Sequence, residues 1–534
     1  LFPYTTLFRS NIARVAPDPV TGMTMPITSP YYPKTFAGLD ATKGLIGIGW
    51  RMVPAGRREN TSNSTANRVV ADLSGVEGAW EYKTGFYSAS STVSDGPTNG
   101  YVSKSKIQAG VTSGLLNPFG ANTQAALDYI DAAKARGTFS TGRGTATGVD
   151  ARFNRDWFKM DGGNAAFSLG AEARREGYST NTNDDLVNNV PSAGRSPYHV
   201  NDASRTVTAV VAEALFPVSK QLELQAALRA DNYSDFGSTL NGKLAARLKA
   251  TDNINFRGSL STGFRAPSLA QVYYNLHFTN FSSAGATEVL LAPNDSPVTQ
   301  AFGIKKLNEE KAVNGSLGVT ANFGAFTATV DGYFINVKDR IVLTGYFDAS
   351  ALNLGVSAAQ FFTNAVDTKT AGVDLVLAWK KTIGESRFGA TLVGNINDMS
   401  ITNVKNGSLD EGTFFGKREK AFLLASAPKS KFGLNLNYSR KKLDAGMAFT
   451  RFSKVVLYDY ADEEDVYSAK VVTDLTVGYK LSKQLKLSVG ANNLFNIYPD
   501  KQDEQGNTEA GGYWDAVQMG FSGAYYYTRL GFTF

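Results

Sequence analysis

Two histidines, His199 and His277, are the whole imidazole complement of this 534-residue chain, and cysteine is absent. Without thiols there is no disulfide framework, no thiolate zinc site and no cysteine nucleophile. Both histidines stand in turn-rich polar stretches with no motif joining them to a serine and a carboxylate, so a nucleophilic triad or a histidine metal site has little to be built from. A denser group is Tyr458, Asp459 and Tyr460, followed by the acidic run Asp462, Glu463, Glu464 and Asp465. Carboxylates at this spacing would take a divalent cation or a cationic ligand, or simply keep a loop solvated. Around His277, the rings of Tyr273, Tyr274, Phe278 and Phe281 would form an aromatic binding loop for a sugar or catechol, or an interfacial girdle. No cofactor-binding motif accompanies any of these groups.

The elements that must position them are read from hydrophobic periodicity. Leu222, Leu224, Ala226 and Leu228 alternate with Glu223, Gln225, Ala227 and Arg229. The same period of two recurs at 254–261, 326–331, 432–439 and 485–490, and gives each strand one apolar and one polar face. A soluble sandwich would show that alternation too. The connections separate the two cases: from 206 onward, short turns (216–221, 251–253, 321–324, 380–386, 439–443, 481–484) alternate with long loops (231–242, 263–310, 336–370, 398–428, 453–469, 495–524). Bacterial outer-membrane barrels sort their periplasmic and extracellular ends in this way.

Further strands are expected at 46–53, 66–75, 80–88, 101–111, 149–160 and 165–178, for roughly 18–20 in all, inside the range of bacterial barrels. A helix is expected over 122–136, with Asn122 or Thr123 as N-cap and Gly137 as its stop. Composition agrees with a membrane barrel: Gly 52, Tyr 24 and Phe 33 are high counts, while the mean hydropathy of −0.20 averages an apolar lipid face against polar lumen and loops. No apolar run is long enough for a transmembrane helix, and a net charge of +6 without basic blocks gives no footing for nucleic acid. The first ten residues, LFPYTTLFRS, read like a translated sequencing adapter, so 1–10 are set aside as an expected artefact and 11–534 are taken as one barrel domain.

Three segments carry a family resemblance: LRADNYSDFGSTLNGKLAARL at 228–248, RGSLSTGFRAPSLAQVY at 257–273 and LSVGANNLFNIYPD at 487–500, the last followed by the terminal YYYTRLGFTF. In order and spacing they resemble the TonB-dependent receptors, with the motif residues Gly263, Phe264, Arg265, Ala266, Pro267 and Ser268, and Asn492, Asn493, Leu494, Phe495 and Pro499. Gly263 is expected to end a strand there, and Pro267, which cannot donate to a ladder, to send the chain out into a loop. Arg265 would line the lumen or hydrogen-bond loop backbone. Tyr526, Leu530, Phe532 and Phe534 resemble the outer-membrane assembly signal.

The resemblance implies an all-β protein, a large antiparallel transmembrane barrel of about 22 strands in the outer membrane of a Gram-negative bacterium. It implies contact with outer-membrane lipid, lipopolysaccharide and the barrel-assembly machinery, and uptake of a scarce small-molecule nutrient such as a ferric siderophore at extracellular loops. Energy would come from the TonB–ExbB–ExbD complex through an N-terminal TonB box and plug. Nothing before Tyr31 has room for either, so plug and first hairpins are expected to lie outside this sequence, and the first and last strands are not expected to close. A passive porin-type channel and an outer-membrane hydrolase are the alternatives. Leu487 and Phe256 are assigned to the lipid side, Lys486 and Arg257 to the lumen.

Overall fold

A computed structural model describes residues 4–35, 44–190, 192, 197–282, 285–352, 356–426, 428–459, 462–502, 518–520 and 522–533, with the backbone alone for 4–16, 278–282 and 285–287. Its main body is an 18-stranded antiparallel sheet. The strands follow one another in chain order from Tyr4–Pro17 and Arg57–Glu77 to Leu485–Asn492 and Tyr525–Phe532, each paired with its predecessor. Segment 1–10 is thereby partly inside the fold: Thr5 to Ser10 pair with Arg68 to Asn63 of the next strand. Among the described residues no ladder joins Tyr525–Phe532 back to Tyr4–Pro17, so the ring stays open as the sequence leads one to expect.

Tight two-residue turns join strands at one end. Phe323 pairs with Phe326 and Ile383 with Ser386, and Gly324 and Gly384 take φ of 61° and 58°, the left-handed backbone that twist-matched hairpins require. The turns after Pro217 and after Lys480 lie at this same end, because an even number of antiparallel strand reversals separates them. Every long connection lies at the other end. The loops are shorter than expected, however, because the strands continue past the apolar band: Tyr233 pairs with Gly237 where a loop over 231–242 was expected, and Phe326–Leu343 and Phe362–Ile383 reach deep into 336–370. Hydrophobicity fades along such a strand where it leaves the bilayer, but the ladder does not.

The two faces sort cleanly. Leu244 lies opposite Leu260, and Leu317 lies opposite Gly258, with exposures of 66%, 55% and 76%; water would be a poor solvent for so continuous an apolar surface. Near the tight turns Trp80, Trp157, Phe158 and Phe167 pack edge to face at 5.1–5.8 Å, a girdle at the edge of the apolar band. The opposite face is polar. Arg257 meets Asp331 there at 2.5 Å and Lys486 meets Asp444 at 2.7 Å, as assigned, while Phe256 is exposed on the apolar side.

Two N-terminal expectations are corrected. Residues 101–111 form not a strand but the helix Lys104–Thr112, capped by the Ser103 side chain accepting from the Lys106 N–H. Its apolar residues Ile107 and Val111 are fully buried, and their spacing of four fits a helical period as well as a period of two. The strand at 46–53 exists as Leu45–Arg51 but pairs with Pro19–Pro26, outside the wall. With the helix Gln124–Ala132, capped by Thr123, these pieces enclose a small core of Met23, Met25, Met52, Ile107, Leu116 and Ile130. The other long loops pack in the same manner: Phe347, Phe361, Phe414 and Phe415 form a second core, and Val455, Leu457 and Tyr467 a third.

Candidate functional site

The motif segment at 263–268 sits where the strand Ile254–Arg265 leaves the sheet, two residues beyond the stop expected at Gly263. Arg265 binds a carboxylate side chain and not loop backbone: its Nε and Nη2 reach the two oxygens of Glu310 on the adjacent strand at 2.9 and 2.5 Å, and Nη1 reaches Gln271. Glu310 also accepts from the Ile341 N–H, which couples three strands. Ser268 caps the helix Leu269–Tyr273 by accepting from the Gln271 N–H, and Gln271 accepts in return from the Ser268 N–H. Ala266 and Pro267 are the bend between them, with Pro267 buried.

What fastens this bend is a residue the sequence did not single out. Arg205, only 7% exposed, donates Nη1 to the Pro267 carbonyl at 2.7 Å, Nε to Glu176 at 2.7 Å and Nη1 to Asp235 at 3.3 Å. Its guanidinium lies 5.1 Å from the centroid of Tyr233, whose ring is also approached by Arg174 at 5.7 Å, stacks on Phe236 and meets Phe264 edge-on. Arg174 in turn bridges Glu172 and Glu176 at 2.7 Å each, and Arg229 joins Glu172 to Asp231.

Strand register shows why these charges collect. Asp72 stands opposite Gly85, Gly85 opposite Asp150, Asp150 opposite Glu172, Glu172 opposite Ala209 and Ala209 opposite Asp231. One rung thus carries four carboxylates, and the rung two residues along sets Lys83 opposite Arg152. Like charges directly opposite destabilise a sheet, so the rungs are tolerable only because their signs alternate. Gly85 leaves room in this lattice: a Cβ there would stand 2.9 Å from one Asp72 oxygen and 3.0 Å from one of Asp150, so both carboxylates would have to turn aside.

The aromatic residues at the mouth are brought partly together. The Tyr198 hydroxyl donates to the Tyr273 carbonyl, and burial, with Tyr178, Asp295 and Tyr273 nearby, pushes its pKa up to about 12. Tyr274 lies beside Tyr178, and His277 lies 3.3 Å from Glu288 on the neighbouring hairpin strand. The side chains of Phe278 and Phe281 lie outside the described residues. His199 meets Asp184 at 2.9 Å.

Elsewhere the expected residues have local tasks. Asn493 and Asn496 take φ of 52° and 55°, conformations that asparagine tolerates better than most residues. The Asn493 side chain donates to the Ile497 carbonyl and accepts its N–H, while its own N–H reaches Asp474. Asn492 and Phe495 are exposed, Leu494 is half-buried and Pro499 is buried. Asp500 ties this bend to the preceding loop through Lys470 at 2.5 Å and the Ser468 N–H at 2.6 Å. Burial opposes its charge, but these hydrogen bonds outweigh that and hold its carboxyl below the usual range. Asn493→Ala is expected to cost about 1–2 kcal/mol from the left-handed backbone alone, read as a lowered urea midpoint, with Asn493→Gly losing less.

Tyr458 donates to Glu464 across the hairpin Val455–Tyr458 and Glu464–Tyr467, which raises its pKa. Asp462, Glu463 and Glu464 are exposed and Asp465 is buried; Tyr460 lies outside the described residues. Among the described residues no group of three His, Cys, Asp or Glu side chains is arranged to hold a metal ion. Tyr526, Leu530 and Phe532 line the apolar face of the last strand at 60–66% exposure, and Phe534 lies outside the described residues.

An antiparallel wall with an apolar outer face, a charged inner face, tight turns at one end and packed loops at the other is that of an outer-membrane β-barrel. The chain belongs to the TonB-dependent receptor-like β-barrel family, whose model matches residues 27–494. Its fold is similar to that of the ferric enterobactin receptor of Pseudomonas aeruginosa, at 16% identity and TM-score 0.58 over 91% of this chain and 68% of that one. It is also similar to a siderophore receptor of Acinetobacter baumannii (15%, TM-score 0.56, 90% and 68%) and to an iron transporter of Neisseria meningitidis (13%, TM-score 0.57, 99% and 69%). No curated protein sequence matches the chain. The family's barrels are transport receptors of the Gram-negative outer membrane that act with TonB on small-molecule nutrients.

Proposed function

We propose that this barrel serves the TonB-energised uptake of a scarce, bulky nutrient, with a ferric siderophore as the first candidate cargo. The observation that carries the reading is the family match over 27–494 on a wall of 18 strands, wide enough to surround a plug or a large solute. The solved structures of similar fold include receptors for ferric enterobactin and another siderophore, which supports a ferric siderophore over cobalamin, haem or oligosaccharide. Cargo is first met at the mouth, where Tyr198, Tyr273 and Tyr274 present phenol rings; plug contacts and the TonB–ExbB–ExbD complex drive its passage inward. Lipid and lipopolysaccharide surround the apolar face, and the last strand, with Tyr526, Leu530 and Phe532, is the handle for the barrel-assembly machinery.

A strain lacking the gene is expected to grow poorly when iron is limiting and normally on single carbon sources. Loss of growth on one carbon source instead would move the cargo to a glycan. Uptake that persists in a strain without TonB would leave a passive channel in place of a receptor.

A further inference from the structure

Beneath the helix Leu269–Tyr273 the polar face of the wall holds a cleft of about 710 Å³. Its floor follows one rung of the sheet: Arg68 stands opposite Ala89, Ala89 opposite Ala146, Ala146 opposite Glu176, and Glu176 opposite Arg205. The two alanines leave a trough between a cation at one end and an ion pair at the other. Three strand spacings of ~4.8 Å separate Arg68 from Glu176, so the trough is roughly 14 Å across, the span of a ring and its substituents. Ser91 and Tyr178, one rung along on the same face, line its sides, and Ser268 to Ala270 form its roof.

The charges in the trough are unequal in freedom. Glu176 spends its oxygens on Arg174 and Arg205, and Arg205 is further held by Asp235 and the Pro267 carbonyl. Arg68 is exposed, and among the described residues it makes no ion pair. Its rigid fork of N–H donors matches a carboxylate two bonds at a time.

We propose that this cleft binds a carboxylate-bearing aromatic solute, with Arg68 taking the carboxylate, Tyr178 stacking on the ring, and the hydroxyl of Ser91 taking a ring substituent. The site belongs to the wall itself and needs neither TonB nor energised transport, so it stands or falls separately from the uptake reading.

The test is saturation-transfer NMR on the full chain folded in detergent micelles, with 4-hydroxybenzoate as probe and benzylammonium as its cationic counterpart. Millimolar 4-hydroxybenzoate should bind and benzylammonium should not. Arg68→Gln should weaken binding about tenfold, Arg68→Lys should weaken it less, and Tyr178→Leu should weaken it severalfold. Arg152→Gln, on the same face but outside the cleft, should leave binding unchanged. Strand circular dichroism checks that each variant is folded, and Arg68→Lys keeps the site testable should the glutamine variant misfold. Equal binding of both probes, no binding of 4-hydroxybenzoate to the parent protein, or full binding to Arg68→Gln would each overturn the assignment.

Discussion

Arg205→Ala is expected to lose about 3–5 kcal/mol of stability, because it strips a buried ion network of its central cation and leaves carboxylates uncompensated. The side chain is 7% exposed and serves Glu176, Asp235, the Pro267 carbonyl and the Tyr233 ring at once. Loss of the guanidinium should also release the bend at Pro267, so the loop over 266–309 should become open to protease before the wall unfolds. Urea unfolding in micelles gives the first quantity and limited proteolysis the second. A double change, Arg205→Met with Glu176→Gln, should cost less than the sum of its parts, because the second change removes a charge that the first orphans. Additive losses would show that Arg205 and Glu176 do not act as a pair.

Replacing Leu392 by arginine should block insertion far more than the same change at its chain neighbour Val393. Leu392 lies between Leu377 and Leu434 on the apolar face, midway between the tight turn at 384–385 and the loops. Val393 points to the polar side, 39% exposed, in the same strand. An arginine near the bilayer midplane costs about 2–4 kcal/mol, whereas a lumen-facing one is solvated. The pair is cleaner than Leu487 and Lys486, because Lys486 already holds Asp444 at 2.7 Å and its reversal to glutamate would add a repulsion of its own. The folded fraction in lipid vesicles measures the difference. Similar yields for Leu392→Arg and Val393→Arg would mean that the faces are misassigned.

Much of the wall was legible from period two alone, since residues such as Leu222 to Leu228 keep the same face throughout. The weak points were those where period two ceases to report on pairing. Above the bilayer both faces meet water, so the outer ends of Phe326–Leu343 and Phe362–Ile383 lose their apolar mark while the ladder persists. At 104–112 the interspersed Ile107 and Val111 fit a helix as well as a strand, and only the serine cap decides between them. The motif residues of 263–268 were found by resemblance, but their fastening was not. Arg205 lies 62 residues from Pro267 and 29 from Glu176, and nothing local announces a partner that only strand register brings near. The rung of Asp72, Asp150, Glu172 and Asp231 was hidden for the same reason.

The small cores that lock the loops to one another bear on any attempt to redesign or immunise against the outer surface. Met23, Met52, Ile107 and Ile130 come from two separate stretches of chain, so 17–56 and 100–139 can be grafted onto another barrel only as a pair. A peptide copied from either stretch would lack the partner that folds it. Antibodies raised against such a peptide should recognise the denatured chain, while those raised against the folded surface should fail on blots, because their epitopes are assembled from neighbouring loops.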